Sequence, residues 1–192
     1  MLAAGAGSRF GSAKQLARVG DRPMIHIAIT RAVAVAGQAT VVVLGAHAAS
    51  IAPMLRHTPA SIIVNRQWRS GLASSIRLAV ERLPAGVDAA LITLADQPLV
   101  TAADLRRLVS AWRRQPQYAC AAQYGSDVGV PAIFPRSMFG DLLGLRGDRG
   151  AQVLLSRYRD RVIRVAMPAA RLDVDHPEDL LEVDTRLAST SA

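Results

Sequence analysis

Of the 192 residues, one is cysteine and one is lysine; the aromatic residues are three Phe, two Trp and three Tyr. A single thiol, Cys120, excludes an internal disulfide and any cysteine-based metal cluster. Its apolar surroundings, Tyr118 to Ala122, predict a buried and inert side chain. No stretch approaches the ~20 uninterrupted apolar residues of a membrane span. No basic segment followed by an apolar one marks a signal peptide at the N-terminus, so the expectation is a cytoplasmic protein with no membrane partner. With so few rings, the core has to be built from Val, Leu, Ile and the 34 Ala.

The formal charge is +8, and 22 of the 23 cations are Arg. The densest groups, Arg106, Arg107, Arg113 and Arg114, then Arg157, Arg159, Arg161 and Arg164, read as solvated faces. No aromatic-interleaved basic motif, zinc finger or basic zipper accompanies them, so nucleic acid is not the expected partner. Positive balance suits a protein whose substrates are small phosphates. In a chain so biased toward Arg, the lone Lys14 stands apart.

Apolar runs of strand length, 40–44, 61–64 and 89–93, alternate with helical patterns. One helix is expected from Pro23 to about Ala36, stopped by Gly37. Others are expected over Leu72–Leu83, over Ala102–Arg114 behind an N-cap at Thr101, and from near Pro177 to Leu187. Residues 124–150 break the rhythm with Gly and Pro and predict a hairpin or loop excursion. The pattern predicts one α/β domain over residues 1–187, a mostly parallel sheet with helices on both faces, and a frayed tail at 188–192. In such a sheet, ligands sit beyond the carboxyl ends of the strands.

Four segments there carry chemistry. In the first, Gly5, Gly7 and Gly11 let the backbone approach an anion and expose its N–H groups. Arg9 adds a planar fork and Lys14 a compact point charge. It is neither a Walker loop, since Ala13 precedes Lys14, nor a dinucleotide fingerprint, since position 10 is Phe. In the second, Asp96 follows a buried strand, where a carboxylate can hold Mg²⁺. In the third, Val174 spaces Asp173 and Asp175 onto one side of an extended segment. Either can ligate metal, and Asp175 is equally an N-cap; Glu178 and Asp179 open a helix. In the fourth, Asn65 to Ser75 leads through Trp68, Gly71 and Ser74 into a helix start suited to anions or base edges, or to simple capping.

These segments, with Gly147-Asp-Arg-Gly-Ala151, occur in an order that resembles the nucleotidyltransferases of the molybdenum-cofactor family, particularly its molybdopterin cytidylyltransferases. The likeness runs from Leu2 to about Leu181. It implies a three-layer Rossmann-like nucleotidyltransferase fold and Mg²⁺-dependent transfer of CMP from CTP to molybdopterin, with release of pyrophosphate. A molybdoenzyme or its insertion chaperone would be the implied protein partner. The resemblance places the nucleotide on Leu2, Ala3, Ala4, Gly5, Gly7, Ser8, Arg9 and Lys14, with Asn65, Gly71 and Ser75. It places metal on Asp96, helped by Asp173 or Asp175, and the acceptor near Gln97, Pro131 and Asp148. Arg9, Lys14 and Asp96 are the implied catalytic groups.

The chain departs from the family pattern at four places. Met1 directly precedes Leu2, which shortens the first strand. Val130 and Gln152, both in the acceptor region, replace a polar residue and an Arg, and His176 replaces Thr. The chemistry needs no general base, because the acceptor phosphate is already anionic; His47 reads as peripheral. GTP as donor, a sugar phosphate or phospho-acid as acceptor, and a non-catalytic binding module are the alternatives.

Overall fold

The computed structural model describes residues 1–190. Strands β1 (Leu2–Ala3), β4 (Val41–Leu44) and β5 (Ser61–Val64) form a parallel set in the order β1-β4-β5, after a small antiparallel ribbon of β2 (Arg18–Val19) and β3 (Arg22–Pro23). A second set, β6 (Ala89–Ile92), β7 (Ala119–Tyr124), β8 (Asp127–Pro135) and β9 (Val162–Ala166), has the order β6-β8-β7-β9. A parallel bridge between Leu2 and Leu94 joins the two. The joined order is therefore β5-β4-β1-β6-β8-β7-β9, and only β8 runs antiparallel to its neighbours.

The helices cover both faces, as the alternating pattern predicts. On one face α3 (Leu72–Glu81), α5 (Phe139–Gly144) and α6 (Gln152–Arg157) bury Ile76, Val80, Leu142 and Leu154 against Leu2, Val43 and Phe134. On the other, α1 (Met24–Ala36) and α2 (Ala48–Ile51) bury Ile25, Ile29 and Ile51 against Ala3, Val42 and Leu44. On that side α4 (Ala102–Arg114) sets Leu105 and Leu108 against Cys120, Ala122 and Ile133. The alternation of Leu2 with Ala3, and of Val43 with its neighbours, shows strands buried on both sides. Cys120 is fully buried, and burial pushes its thiol up to about 11, which keeps it inert.

Local signals explain most boundaries. Thr101 and Asp104 form a reciprocal capping box at the start of α4. Gly37 ends α1 with φ +55°, a conformation few other residues adopt. The excursion over 124–150 opens as the β7–β8 hairpin, turning at Gly125. Two ends differ from expectation. The last helix, α7 (Asp179–Thr190), begins two residues later than Pro177. The Asp179 carboxylate accepts the N–H groups of Asp175 and His176 at 2.8 and 2.7 Å, closing a turn ahead of the helix. At the other end the helix continues past Leu187, so residues 188–190 are helical rather than frayed; residues 191–192 lie outside those described. Among the described residues no helix is long and apolar enough to cross a membrane.

Candidate active site

The carboxyl ends of β1 and β6, with the segment leading from β5 into α3, converge on a cleft of about 410 Å³. Its lining takes in Leu2, Ala3, Ala4, Gly5, Lys14, Gly71, Ser75, Asp96 and Asp148. Gly7, Ser8 and Arg9 lie beyond that lining, in the outer part of the same loop. Gly7 has φ +63°, and a Cβ there would strike the Ser12 carbonyl, so the turn needs glycine.

Lys14 sits at the centre. It is only 8% exposed, and its Nζ lies 2.7 Å from Asp96 Oδ2 and 2.8 Å from Asp175 Oδ1. Arg9, on the surface, reaches Asp175 Oδ2 at 3.0 Å. Three separate segments are thereby drawn together. The last is pinned by the backbone as well, since the Val174 N–H donates to the Asp96 carbonyl at 2.9 Å. Asp175 is therefore an ion-pair partner and not a helix cap. Burial works against the Lys14 ammonium, but Asp96 and Asp175 outweigh it and raise its pKa. The Lys14 hydrogen bond in turn holds the Asp175 carboxyl below its ordinary range, against partial burial and with help from Arg9.

Asp173 is open to solvent, yet protein packs closely around its carboxyl. That desolvation, with repulsion from Asp96, raises its pKa to about 6, against a hydrogen bond from Gln97. Three carboxylates thus face two cations, which leaves one net negative charge at neutral pH. Asp96 Oδ1 is buried and has no hydrogen-bond partner. An orphaned carboxylate oxygen in a net negative cluster fits a divalent cation arriving with phosphate oxygens. No three His, Cys, Asp or Glu side chains among the described residues form a ready-made metal cage. Any such ion would therefore depend on oxygens brought by the substrate.

Other expected residues are placed differently. Asn65 does not line the cleft; it braces the wall behind it. Its Nδ2 donates to Ser74 Oγ and Ser75 Oγ at 2.8 and 2.9 Å, and its Oδ1 accepts the Gln67 N–H, so both amide protons are engaged within the protein. The start of α3 is likewise engaged, with the Ala73 N–H on the Gly147 carbonyl at 3.0 Å. That bond folds the Gly147–Gly150 loop over the cleft, and only glycine fits at position 71, where φ is +100° and the Gly147 carbonyl fills the Cβ position.

A second cavity of about 240 Å³ shares Leu72, Leu94 and Asp148 with the first and adds Gln97, Gly129, Val130 and Asp173. It lies where the acceptor is expected. Gln97 faces it but is tied to the scaffold, its Nε2 donating to the Val130 and Ala170 carbonyls at 3.2 and 3.0 Å. Pro131 is buried and does not line the cavity, which corrects its assignment to the acceptor; Val130 and Gly129 present the surface there.

Sequence reasoning missed several groups. Gln15 is 2% exposed and holds the Ala3 and Gly5 carbonyls. His47 is not peripheral: its Nε2 bonds the Ala6 carbonyl at 2.8 Å. Trp68 and Arg69 form one cleft wall, with the guanidinium 4.4 Å above the indole. A glutamine beside the only lysine was the available signal for the first; for His47, Trp68 and Arg69 the signal was their place just after the strands β4 and β5, at the carboxyl edge of the sheet.

An open α/β sheet with one reversed strand, a glycine loop and a lysine–carboxylate cluster at its carboxyl edge defines a nucleotide-handling enzyme fold. Residues 1–162 match the MobA-like NTP transferase domain, and the chain belongs to that family. The nicotine blue oxidoreductase of Paenarthrobacter nicotinovorans is 32% identical over 166 residues, covering 81% of this chain and 79% of that protein. The crystal structure of Rv0371c from Mycobacterium tuberculosis H37Rv is similar at 28% identity, with a TM-score of 0.81 over 96% of this chain and 95% of that one. A structure of Rv0371c in complex with manganese gives 26% identity and a TM-score of 0.79, with the same coverage. Molybdopterin-guanine dinucleotide biosynthesis protein A of Archaeoglobus fulgidus shares the fold at 16% identity and a TM-score of 0.71, over 98% of this chain and 97% of that one.

Proposed function

We propose that the protein is a Mg²⁺-dependent nucleotidyltransferase that transfers CMP from CTP to the phosphate of molybdopterin. The observation that carries the reading is the Lys14 ammonium bound to Asp96 and Asp175 inside a glycine-loop cleft. Metal binding is supported by the orphaned Asp96 Oδ1 and by the manganese complex of a relative. Asp96, with Asp175 or Asp173, would hold the ion, which supplies charge neutralisation on the phosphates.

The chain's own groups account for the remaining chemistry. Loop amides between Gly5 and Arg9 bind the triphosphate, and Lys14 and Arg9 exchange carboxylate partners for phosphate oxygens. An acceptor phosphate oxygen then attacks the α-phosphorus in line. A new P–O bond forms, the bond to the β-phosphate breaks, and pyrophosphate leaves with its charge met by Lys14 and Arg9. No proton has to be removed, so no general base is needed. The adjoining cavity beside Asp173 gives the acceptor a place next to the nucleotide. The test is pyrophosphate release with each NTP, with and without molybdopterin or sugar phosphates.

A second reading rests on the 32% identical relative, whose name is that of an oxidoreductase. In that reading the cleft holds a reduced dinucleotide that gives up hydride to an acceptor in the second cavity. Oxidation of NADH or NADPH by a quinoid dye, without pyrophosphate release, would favour it.

A further inference from the structure

The loop after β1 is polarised along its length. Five successive carbonyls each accept a hydrogen bond, four from residues outside the loop and the last from Gly11 within it. Ala3 and Gly5 take Gln15 Nε2 at 3.2 and 2.9 Å, Ala4 takes the Ala46 N–H at 3.2 Å, Ala6 takes His47 Nε2 at 2.8 Å, and Gly7 takes the Gly11 N–H at 2.9 Å. By contrast, the N–H groups of Gly5, Ala6, Gly7 and Ser8 donate to no carbonyl among the described residues. A peptide plane fixes its N–H opposite its C=O, so holding the carbonyls inward turns the amides outward. A glycine loop with φ +63° at Gly7 has little intrinsic preference for that arrangement and must be held in it.

We infer that Gln15, seconded by His47, is the positioning residue that turns this loop into an anion-binding surface. Gln15 suits the role because its one amide nitrogen carries two protons and reaches two carbonyls, while its side chain is buried in the cleft wall. A carbonyl only accepts, so His47 Nε2 carries a proton in this contact. The inference rests on the nucleotide reading of the same cleft and assigns to Gln15 the affinity for the polyphosphate rather than any step of the reaction.

The test compares wild type with Gln15→Met and Gln15→Glu by calorimetric titration of Mg²⁺–CTP and Mg²⁺–GTP at pH 8 and pH 5.5. Methionine keeps the volume and removes both donors, so binding weakens on the order of tenfold at either pH. Glutamate is the sharper probe. Ionised, it is an acceptor facing two carbonyls and binding is weak; protonated, it donates again. Burial raises its pKa, so affinity relative to wild type recovers as pH falls from 8 to 5.5. Simple loss of packing would give no such recovery. Hydrogen exchange of the Ala46 and Gly11 amides, both held by loop carbonyls, reads the brace without nucleotide and quickens in Gln15→Met. If wild type binds neither nucleotide, the functional reading falls while the exchange result still decides the brace. Exchange and affinity unchanged in Gln15→Met, or a Gln15→Glu that follows wild type at both pH values, would overturn the inference.

Discussion

Replacing Lys14 by Met separates its two roles, because Met keeps the aliphatic stem and removes only the charge. Lys14 makes contacts of 2.7 and 2.8 Å to carboxylates whose side chains are 21% and 44% exposed. A charge-assisted hydrogen bond contributes roughly 1.5–3 kcal/mol net in protected surroundings. The Asp175 contact is discounted to under about 1 kcal/mol for solvent screening, so loss of both costs about 1.5–4 kcal/mol of stability. The cluster then holds three carboxylates against Arg9 alone, and a divalent cation should restore much of the loss. The expected melt is lowered without metal and recovers with Mg²⁺ or Mn²⁺ further than wild type rises. Turnover should still fall ~10²–10³-fold, the usual loss when one electrostatic contact to developing charge is removed. Undiminished pyrophosphate release in Lys14→Met would refute the role given to this residue. A melt indifferent to metal would refute the charge count.

Asp96→Ala is expected to fold and to lose turnover on the order of 10²–10³-fold, with a weaker response of the melt to Mg²⁺, read by the same two assays. Asp173→Asn should melt above wild type at pH 7.5, because a carboxyl raised to about 6 favours folding only while protonated. That advantage shrinks as pH falls from about 6 toward the unfolded value near 4, which a series of melts across this window checks. Gly71→Ala puts a Cβ onto the Gly147 carbonyl and 2.7 Å from the Asp148 N, at φ +100°. It should cost about 1–3 kcal/mol in denaturant unfolding and weaken nucleotide binding by displacing the loop over the cleft.

The half of the molecule that carries the glycine loop was the legible half. Buried parallel strands read as unbroken Val and Ile runs, and β4 does so, while β5 carries the same kind of run at the sheet edge with its residues half-buried or exposed. Strand β7, central to the other half, reads Ala-Cys-Ala-Ala and has little strand character, because tight helix packing and not propensity makes it a strand. The site divides in the same way. Glycines and an isolated lysine announce a phosphate loop from local sequence. Whether Asp175 caps a helix or pairs with Lys14 depends on a contact across 161 residues. Asn65 is the opposite case: Ser74 and Ser75, close in sequence, take both protons of an amide that the family likeness places on the nucleotide.

The most direct test of the account is pyrophosphate release by the wild-type protein with Mg²⁺, each of the four NTPs in turn, and molybdopterin. Release is expected to require molybdopterin, to be fastest with CTP and to fall ~10²–10³-fold in Lys14→Met. Release with GTP alone would contradict the cytidylyl assignment, and no release with any NTP, alongside oxidation of a reduced dinucleotide, would contradict nucleotidyl transfer itself.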